Sequence, residues 1–329
     1  FFVYNTPATY LLSAIVQKTT GQSVLEYLRP RLFEPLGIAN PGWEASKQGV
    51  SMGGFGLCIR TQDIAHFGQL YLQKGHWQGK QLVPADWVAT ATSRWMSNGS
   101  NPASDWEQGY GFQFWRCRYG VIRGDGAHGQ FCIVFPELDA VIAITAGTRD
   151  LQGVLNVVWD KLLSALQGKP MPIAADGAAH GKLKAKLAGL TLRTPVAVET
   201  PAVAGTIAGK RYVLPQNPHG LEALTLLPAG SDPKVTELAV AIGGVEQRIG
   251  ARAGGWQRGE MAGGTERVPV AASGAWTAAD TFTLDLVRTH TPFATRFKMV
   301  FKDDRVLVTV EPNVGPRPAG AAAIIGRRE

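Results

Sequence analysis

Phe131-Cys132-Ile133-Val134-Phe135-Pro136-Glu137-Leu138-Asp139-Ala140-Val141-Ile142-Ala143-Ile144-Thr145 decides the fold class of the first half of this chain. Two runs rich in β-branched and aromatic residues flank a Pro-Glu-Leu-Asp centre that suits a turn, so the stretch predicts an antiparallel hairpin. Pro136, Glu137 and Asp139 also break what would otherwise approach the about 18 apolar residues of a membrane helix, and no longer apolar run exists elsewhere. Just upstream, Tyr110, Phe112 and Phe114 alternate with smaller or polar residues, which predicts another strand. Just downstream, Asp150 is placed to cap a long helix in which Leu151, Val154, Leu155, Val158, Leu162 and Leu166 repeat at three and four, ending at Gly168.

Further upstream the period is helical. Leu11, Leu12, Ile15 and Val16 share one face of a segment Thr9–Thr20, and Gly21 follows where a helix C-terminus favours glycine. Ser23 and Glu26 form a capping box for a short helix carrying Leu25, Leu28 and Leu32, which Pro30 and Pro35 distort and stop. Thr61 is a candidate cap for a third helix with Ile64, Phe67, Leu70 and Tyr71 on one face and Gly75 at its end. Pro84 opens a fourth through Trp87 and Ala91. Helices before and after an antiparallel sheet give an α+β domain in which the helices flank the sheet.

Residues 169–204 shift to Ala, Lys, Gly, Pro and Thr, with a short helical stretch near Lys182–Leu190, and read as an interdomain connection. Beyond it, Arg211–Leu214, Glu237–Ile242, Thr281–Val287, Arg296–Phe301 and Arg305–Val310 recur as strand-like runs between Gly-, Pro- and Asp-rich turns. The expected division is a first domain over 1–168, a linker over 169–204 and an all-β, barrel-like domain over 205–329.

A chain of 329 residues with 45% apolar content holds a sizeable core for about two domains. The net charge of +7 lies mostly after Gly168, where Lys and Arg outnumber Asp and Glu by 20 to 14. That surplus is spread rather than clustered, so nucleic acid is not expected as a partner. Cys58, Cys117 and Cys132 lack metal-binding or disulfide-framework spacing and read as buried small side chains or one chance pair. The six histidines never fall at ligand spacing, and no phosphate-cradling glycine loop occurs, so neither metal nor nucleotide cofactor is expected. The chain opens at Phe1 with no methionine or leader pattern and at once with structure-forming residues, as a fragment would.

Phe2-Val3-Tyr4-Asn5-Thr6, the helix after it, and Leu32-Phe33-Glu34-Pro35-Leu36-Gly37 resemble the middle of the penicillin-binding-protein-like serine hydrolases. Gly53-Gly54-Phe55-Gly56-Leu57, Thr61–Ala65, Gly109-Tyr110-Gly111-Phe112 and Gly126–Gln130 continue the likeness in order, so it covers residues 1–168. The superfamily holds class C β-lactamases, D-amino-acid-specific peptidases and β-lactamase-fold esterases. The resemblance implies a nucleophilic serine in an S-x-x-K motif, a tyrosine of a Y-x-N motif for proton transfer, and a strand bearing K-T-G, H-x-G or a variant.

By that likeness Tyr4 is the proton-relay tyrosine and Thr6 stands where the family often has Asn, offering a shorter hydroxyl contact to substrate. Ala127-His128-Gly129 falls on the strand motif with Ala127 at the lysine position, and the Gln130 backbone N–H becomes an oxyanion donor. A second register puts His128 first and Gln130 at the glycine position. The S-x-x-K itself is expected upstream of Phe1. The literal match Ser231-Asp232-Pro233-Lys234 has a proline that breaks the required helical turn, and reads as a surface turn.

Asp125, Glu137 and Asp139 invite a paired-carboxylate reading, but Glu137 and Asp139 are explained by the hairpin turn. Seven of the nine tryptophans lie in the first half, which suits a carbohydrate or aromatic-ligand groove as well as packing. The expected function is acyl-enzyme hydrolysis of an ester, an amide, a D-amino-acid peptide bond or a β-lactam, with a small-molecule or peptide substrate, in a periplasmic or secreted protein. The alternative is a non-catalytic binding or regulatory protein for peptidoglycan or peptide ligands.

Overall fold

The computed structural model describes residues 2–168, 176–263, 266–315 and 323–329. It divides into two compact units, Phe1–Pro170 and Met171–Glu329.

The first unit is a layered α+β structure. Helix α1 (Thr6–Thr20) starts where the Asn5 side chain accepts from the Ala8 N–H, and it stops at Gly21, whose φ of 72° closes the last turn in a left-handed conformation. Helix α2 (Val24–Leu28) carries the expected capping box, with Ser23 and Glu26 bonded reciprocally. Pro30 does not end it. The chain widens into a π turn over Arg29–Phe33, in which Glu34 N–H reaches back to the Arg29 carbonyl, five residues behind.

Helix α3 (Thr61–Leu72) is capped by Asp63 rather than by Thr61. The Asp63 carboxylate accepts from the Arg60 backbone N–H and from its guanidinium, so the first turn is closed from inside the helix. Helix α4 (Ala85–Thr92) follows Pro84, which sits one place earlier than a first-turn proline, at the N-cap.

A four-stranded antiparallel sheet runs in sequence order: β1 (Trp115–Arg116), β2 (Ile122–Gly126), β3 (Gln130–Phe135) and β4 (Ala140–Ile144). The expected hairpin is β3–β4, with Phe135 opposite Ala140 and Asp139 in the left-handed region at the turn. Strand alternation divides β3 between two cores. Phe131, Ile133 and Phe135 pack with Leu155 and Val158 from the helix α5 (Leu151–Val158), whose start the Asp150 carboxylate caps, and with Trp159 from the π turn Trp159–Leu163 into which α5 widens. Cys132 and Val134 face α3 instead. Helix and sheet approach closely there because residue 68 is glycine; a Cβ would stand 2.6 Å from Val141 and 2.9 Å from the Cys132 sulfur.

Tyr110–Phe114 does not form the expected strand. Tyr110 only bridges to Met96 and Trp115, and Gln113 takes a φ of 68°, which turns the backbone out of any ladder. The alternating aromatics there serve a loop whose two sides face different clusters.

The second unit begins with α6 (Gly177–Ala188) and α7 (Ala202–Ile207). Between them, Val198 N–H donates to the Trp276 carbonyl and Trp256 Nε1 donates to Leu192 O, so part of the expected linker packs on the β structure. The strands are β5 (Arg211–Val213), β6 (Leu221–Leu226), β7 (Val235–Ile242), β8 (Val245–Arg252), β9 (Gln257–Gly263), β10 (Glu266–Ala278), β11 (Thr281–Arg288), β12 (Ala294–Lys302), β13 (Arg305–Pro312) and β14 (Ile324–Arg328).

Among the described residues, the order β8-β7-β6-β5-β14-β13-β12-β11-β10 closes through Arg252 opposite Ser273, giving a nine-stranded barrel with β9 paired outside the ring on β10. Closure removes the free edges that an open sheet would expose. Alternate residues such as Leu238, Phe282, Leu284, Met299 and Val306 fill the interior, while Asp285 pairs outside with Arg296 at 2.7 Å. Ser231–Lys234 lies in the turn before β7, as expected, with the Asp232 carboxylate tied to Lys234 N–H and Arg252.

Candidate active site

Tyr4 lies just ahead of α1, and its position follows from how that helix begins. Asn5 is committed to the cap, which fixes the backbone at residue 4, and Thr6 is the first helical residue. The loop bearing Gly53 and Gly54 lies directly against this first turn. A Cβ at Gly53 would stand 2.5 Å from the Thr9 carbonyl oxygen, and one at Gly54 would stand 2.7 Å from the Thr6 methyl. The Gly-Gly pair noted in the sequence is therefore the surface on which the helix start rests.

The Tyr4 ring sits on an aromatic floor. Its centroid is 5.4 Å from that of Trp115 and 6.2 Å from that of Tyr110, with Tyr110 edge-on to it, while 54% of Tyr4 remains exposed. Tyr110 and Trp115 meet edge to face at 4.9 Å, an arrangement that aromatic quadrupoles favour. Burial, with smaller additions from Tyr4 and Asp125, pushes the Tyr110 hydroxyl up to about 12, so Tyr110 stays a neutral phenol.

Under the floor is a buried ionic network. Arg123 stands opposite Trp115 in the β1–β2 ladder and is fully buried. Its guanidinium carbon is 4.5 Å from the Trp106 centroid and 5.4 Å from that of Trp115. It donates to the Asp125 carboxylate at 2.9 and 3.1 Å, to the Asp105 backbone carbonyl at 2.7 Å and to the Cys117 sulfur at 2.8 Å. Burial raises the Asp125 carboxyl above its ordinary range, with Arg123 opposing. Burial likewise pulls Asp105 upward, but bonds from Arg118, Gln152 and Trp159 outweigh it and hold that carboxyl below its ordinary range.

Ala127-His128-Gly129 forms the turn between β2 and β3 rather than a strand, with φ of 69° at His128 and 91° at Gly129. Gln130 is the first residue of β3 and pairs with Gly126. Its side chain donates to Ala146 O at 2.6 Å and to Ala127 O at 3.3 Å, and Thr148 N–H donates to His128 O, so the turn is fastened to the chain beyond β4. Tyr110 meets the Tyr4 ring and also feels the charge of Asp125, which lies in β2 two residues before this turn begins.

Sequence reasoning missed Tyr110 and Trp115 as neighbours of Tyr4, and Arg123 and Asp105 in the network beneath them. Arg123-x-Asp125 in an otherwise apolar strand was the available signal, since two opposite charges at i, i+2 share one face. On α1 the Ser13 hydroxyl and the Gln17 Oε1 are buried with no hydrogen-bond partner. Among the described residues there is no grouping of three or more His, Cys, Asp or Glu that could hold a metal, and no helix is long and apolar enough to cross a membrane.

Residues 2–165 match the family model described as Beta-lactamase. Among solved structures, a protein described as a 6-aminohexanoate-dimer hydrolase from Bacillus anthracis is 22% identical with a TM-score of 0.44, over 52% of this chain and 45% of that one. A protein described as a β-lactamase from Bacteroides dorei is 15% identical with a TM-score of 0.36, over 45% of this chain and 52% of that one. The octameric penicillin-binding protein homologue from Pyrococcus abyssi is 14% identical with a TM-score of 0.37, over 99% of this chain and 65% of that one. The chain thus spans about half the length of the first two. No curated protein matches it.

Proposed function

Residues 2–165 form a domain of the β-lactamase family, a family of serine hydrolases, and we propose that Tyr4 is the proton-relay group of such a hydrolase. The observation that carries this reading is the Tyr4 ring laid on Trp115 and Tyr110 at the start of α1, half exposed above a buried, charge-paired floor. A phenol fixed on one face and open on the other is suited to passing a proton between a nucleophile and a leaving group.

In the proposed reaction a serine from an S-x-x-K segment outside this chain attacks the acyl carbon of an ester or amide. The Tyr4 phenol gives its proton to the departing oxygen or nitrogen as the acyl–heteroatom bond breaks, and the serine hydroxyl proton replaces it. Water then attacks the acyl-serine, and the same groups return the proton to serine as the acid departs. Thr6 at the head of α1 would contact the substrate. The Ala127–Gly129 turn and the Gln130 backbone would border the oxyanion.

Intact mass after exposure to a fluorophosphonate tests the reading, on this chain and on one extended upstream. A stoichiometric adduct on the extended chain alone supports it. No adduct on either moves the function to ligand binding without turnover.

A further inference from the structure

A cleft of about 510 Å³ opens on the first unit, between the end of α4 and the turn that joins β1 to β2. It is lined by Thr92, Ser93 and Arg94, by Gln108, and by the run from Arg116 to Gly120. Its volume lies within the range of small-molecule sites. It stands apart from the Tyr4 floor: Trp115 and Arg116 are consecutive in β1, so their side chains leave the strand on opposite faces.

Three guanidinium groups line this cleft, those of Arg94, Arg116 and Arg118. Only Arg118 has a carboxylate partner among the described residues, Asp105 at 2.9 Å. Arg116 is half-buried and donates to the Thr92 carbonyl at 3.3 Å and the Gly120 carbonyl at 3.5 Å, contacts near the limit of a hydrogen bond. Arg94 is exposed and donates to the Ser97 hydroxyl at 3.4 Å. Two guanidinium forks thus face one concavity with weak neutral partners, in a unit whose charges otherwise nearly balance, at 13 basic against 12 acidic residues through Gly168.

Arg116 and Arg118 are held in place by the turn itself. Tyr119, between Arg118 and Gly120, takes a φ of 61°, a conformation that a bulky residue rarely adopts. Its ring leans on Trp159 at 5.4 Å and is 56% exposed at the rim. A strained residue of this kind persists where surrounding structure overdetermines it, and such residues gather at ligand sites.

We propose that this cleft binds a phosphate dianion, free or as the terminal group of a phosphoester. Arginine forks match phosphate oxygens bidentately, and an excess of two positive charges in the concavity matches a dianion. The Tyr119 ring at the rim would lie against an aromatic ester group.

Titration calorimetry of the whole 329-residue chain with sodium phosphate, in a chloride buffer, tests this. Saturable binding is expected with a dissociation constant on the order of 1 mM or tighter. Arg94→Gln with Arg116→Gln should weaken it by about tenfold or more, as loss of charge-assisted bonds predicts, while Arg31→Gln, at an exposed position in the π turn after α2, leaves it unchanged. The single variant Arg94→Gln, at an exposed residue, carries the test if the double variant does not fold. Phenyl phosphate binding tighter than phosphate assigns the site to esters, and equal binding assigns it to the free ion. No saturable heat with either ligand, or affinity in the arginine variants within about twofold of the parent, overturns the proposal.

Discussion

Arg123 and Trp115 face each other across the β1–β2 ladder, with the guanidinium carbon 5.4 Å from the indole centroid, and the same indole supports the Tyr4 ring at 5.4 Å. A buried cation therefore sets the height of the surface on which the proposed proton relay rests. Arg123→Met keeps the bulk but leaves Asp125 buried without its ion partner, at a cost of about 3 kcal/mol or more. Urea unfolding followed by tryptophan fluorescence checks this, and a loss below about 1 kcal/mol would show that the pair contributes little.

Acid should weaken the first unit through Asp105. Its folded carboxyl is held below the unfolded value, so its stabilisation is present above the unfolded value of about 3.9 and is lost as pH falls through the lower folded value. Asp105→Asn is expected to cost roughly 2–3 kcal/mol at neutral pH, and the gap to the parent should shrink toward about pH 3. A gap independent of pH would assign the loss to packing.

Thiol titration distinguishes the three cysteines. Cys58 is exposed, whereas burial pushes Cys117 up to about 11 and Cys132 up to about 12. One equivalent of a disulfide reagent should react quickly with the native chain at about pH 8, and three after denaturation. Fast reaction of a second thiol in the native chain would contradict the burial of Cys117 and Cys132.

Tyr212 inside the barrel unit is fully buried, and its hydroxyl has no hydrogen-bond partner. Tyr212→Phe removes only that orphaned group, so stability should be unchanged or rise by about 1 kcal/mol. Thermal unfolding of the variant and parent measures it, and a lower midpoint would reveal a partner for the hydroxyl.

Much of this architecture was legible because the signals were local. The Pro136–Asp139 turn, the Ser23–Glu26 box, Asp150 as a cap and Gly21 as a stop each depend on residues within one turn of each other. Strands β5, β7, β11, β12 and β13 carried β-rich patterns, but β8 to β10 did not. The β10 segment holds Pro269, Gly274 and four alanines, Ala271, Ala272, Ala275 and Ala278, because closure of the ring, not side-chain propensity, sets its pairing.

The site was legible only in part. Tyr4 and Thr6 emerged from a likeness, whereas the floor under Tyr4 joins residues more than a hundred positions apart that only tertiary folding brings together. The loop Tyr110–Phe114 imitated a strand because its aromatics alternate for two separate clusters, Tyr110 with Tyr4 and Trp115, and Phe112 with Trp87 and Trp95.

The most direct test of the central claim is the acylation rate of Tyr4→Phe in the upstream-extended chain, measured by stopped-flow release of a chromophoric ester's leaving group. The account predicts a fall of about a hundredfold or more with an unchanged melting midpoint, as loss of a proton-transfer group requires. An unchanged rate in a folded variant would remove Tyr4 from the chemistry.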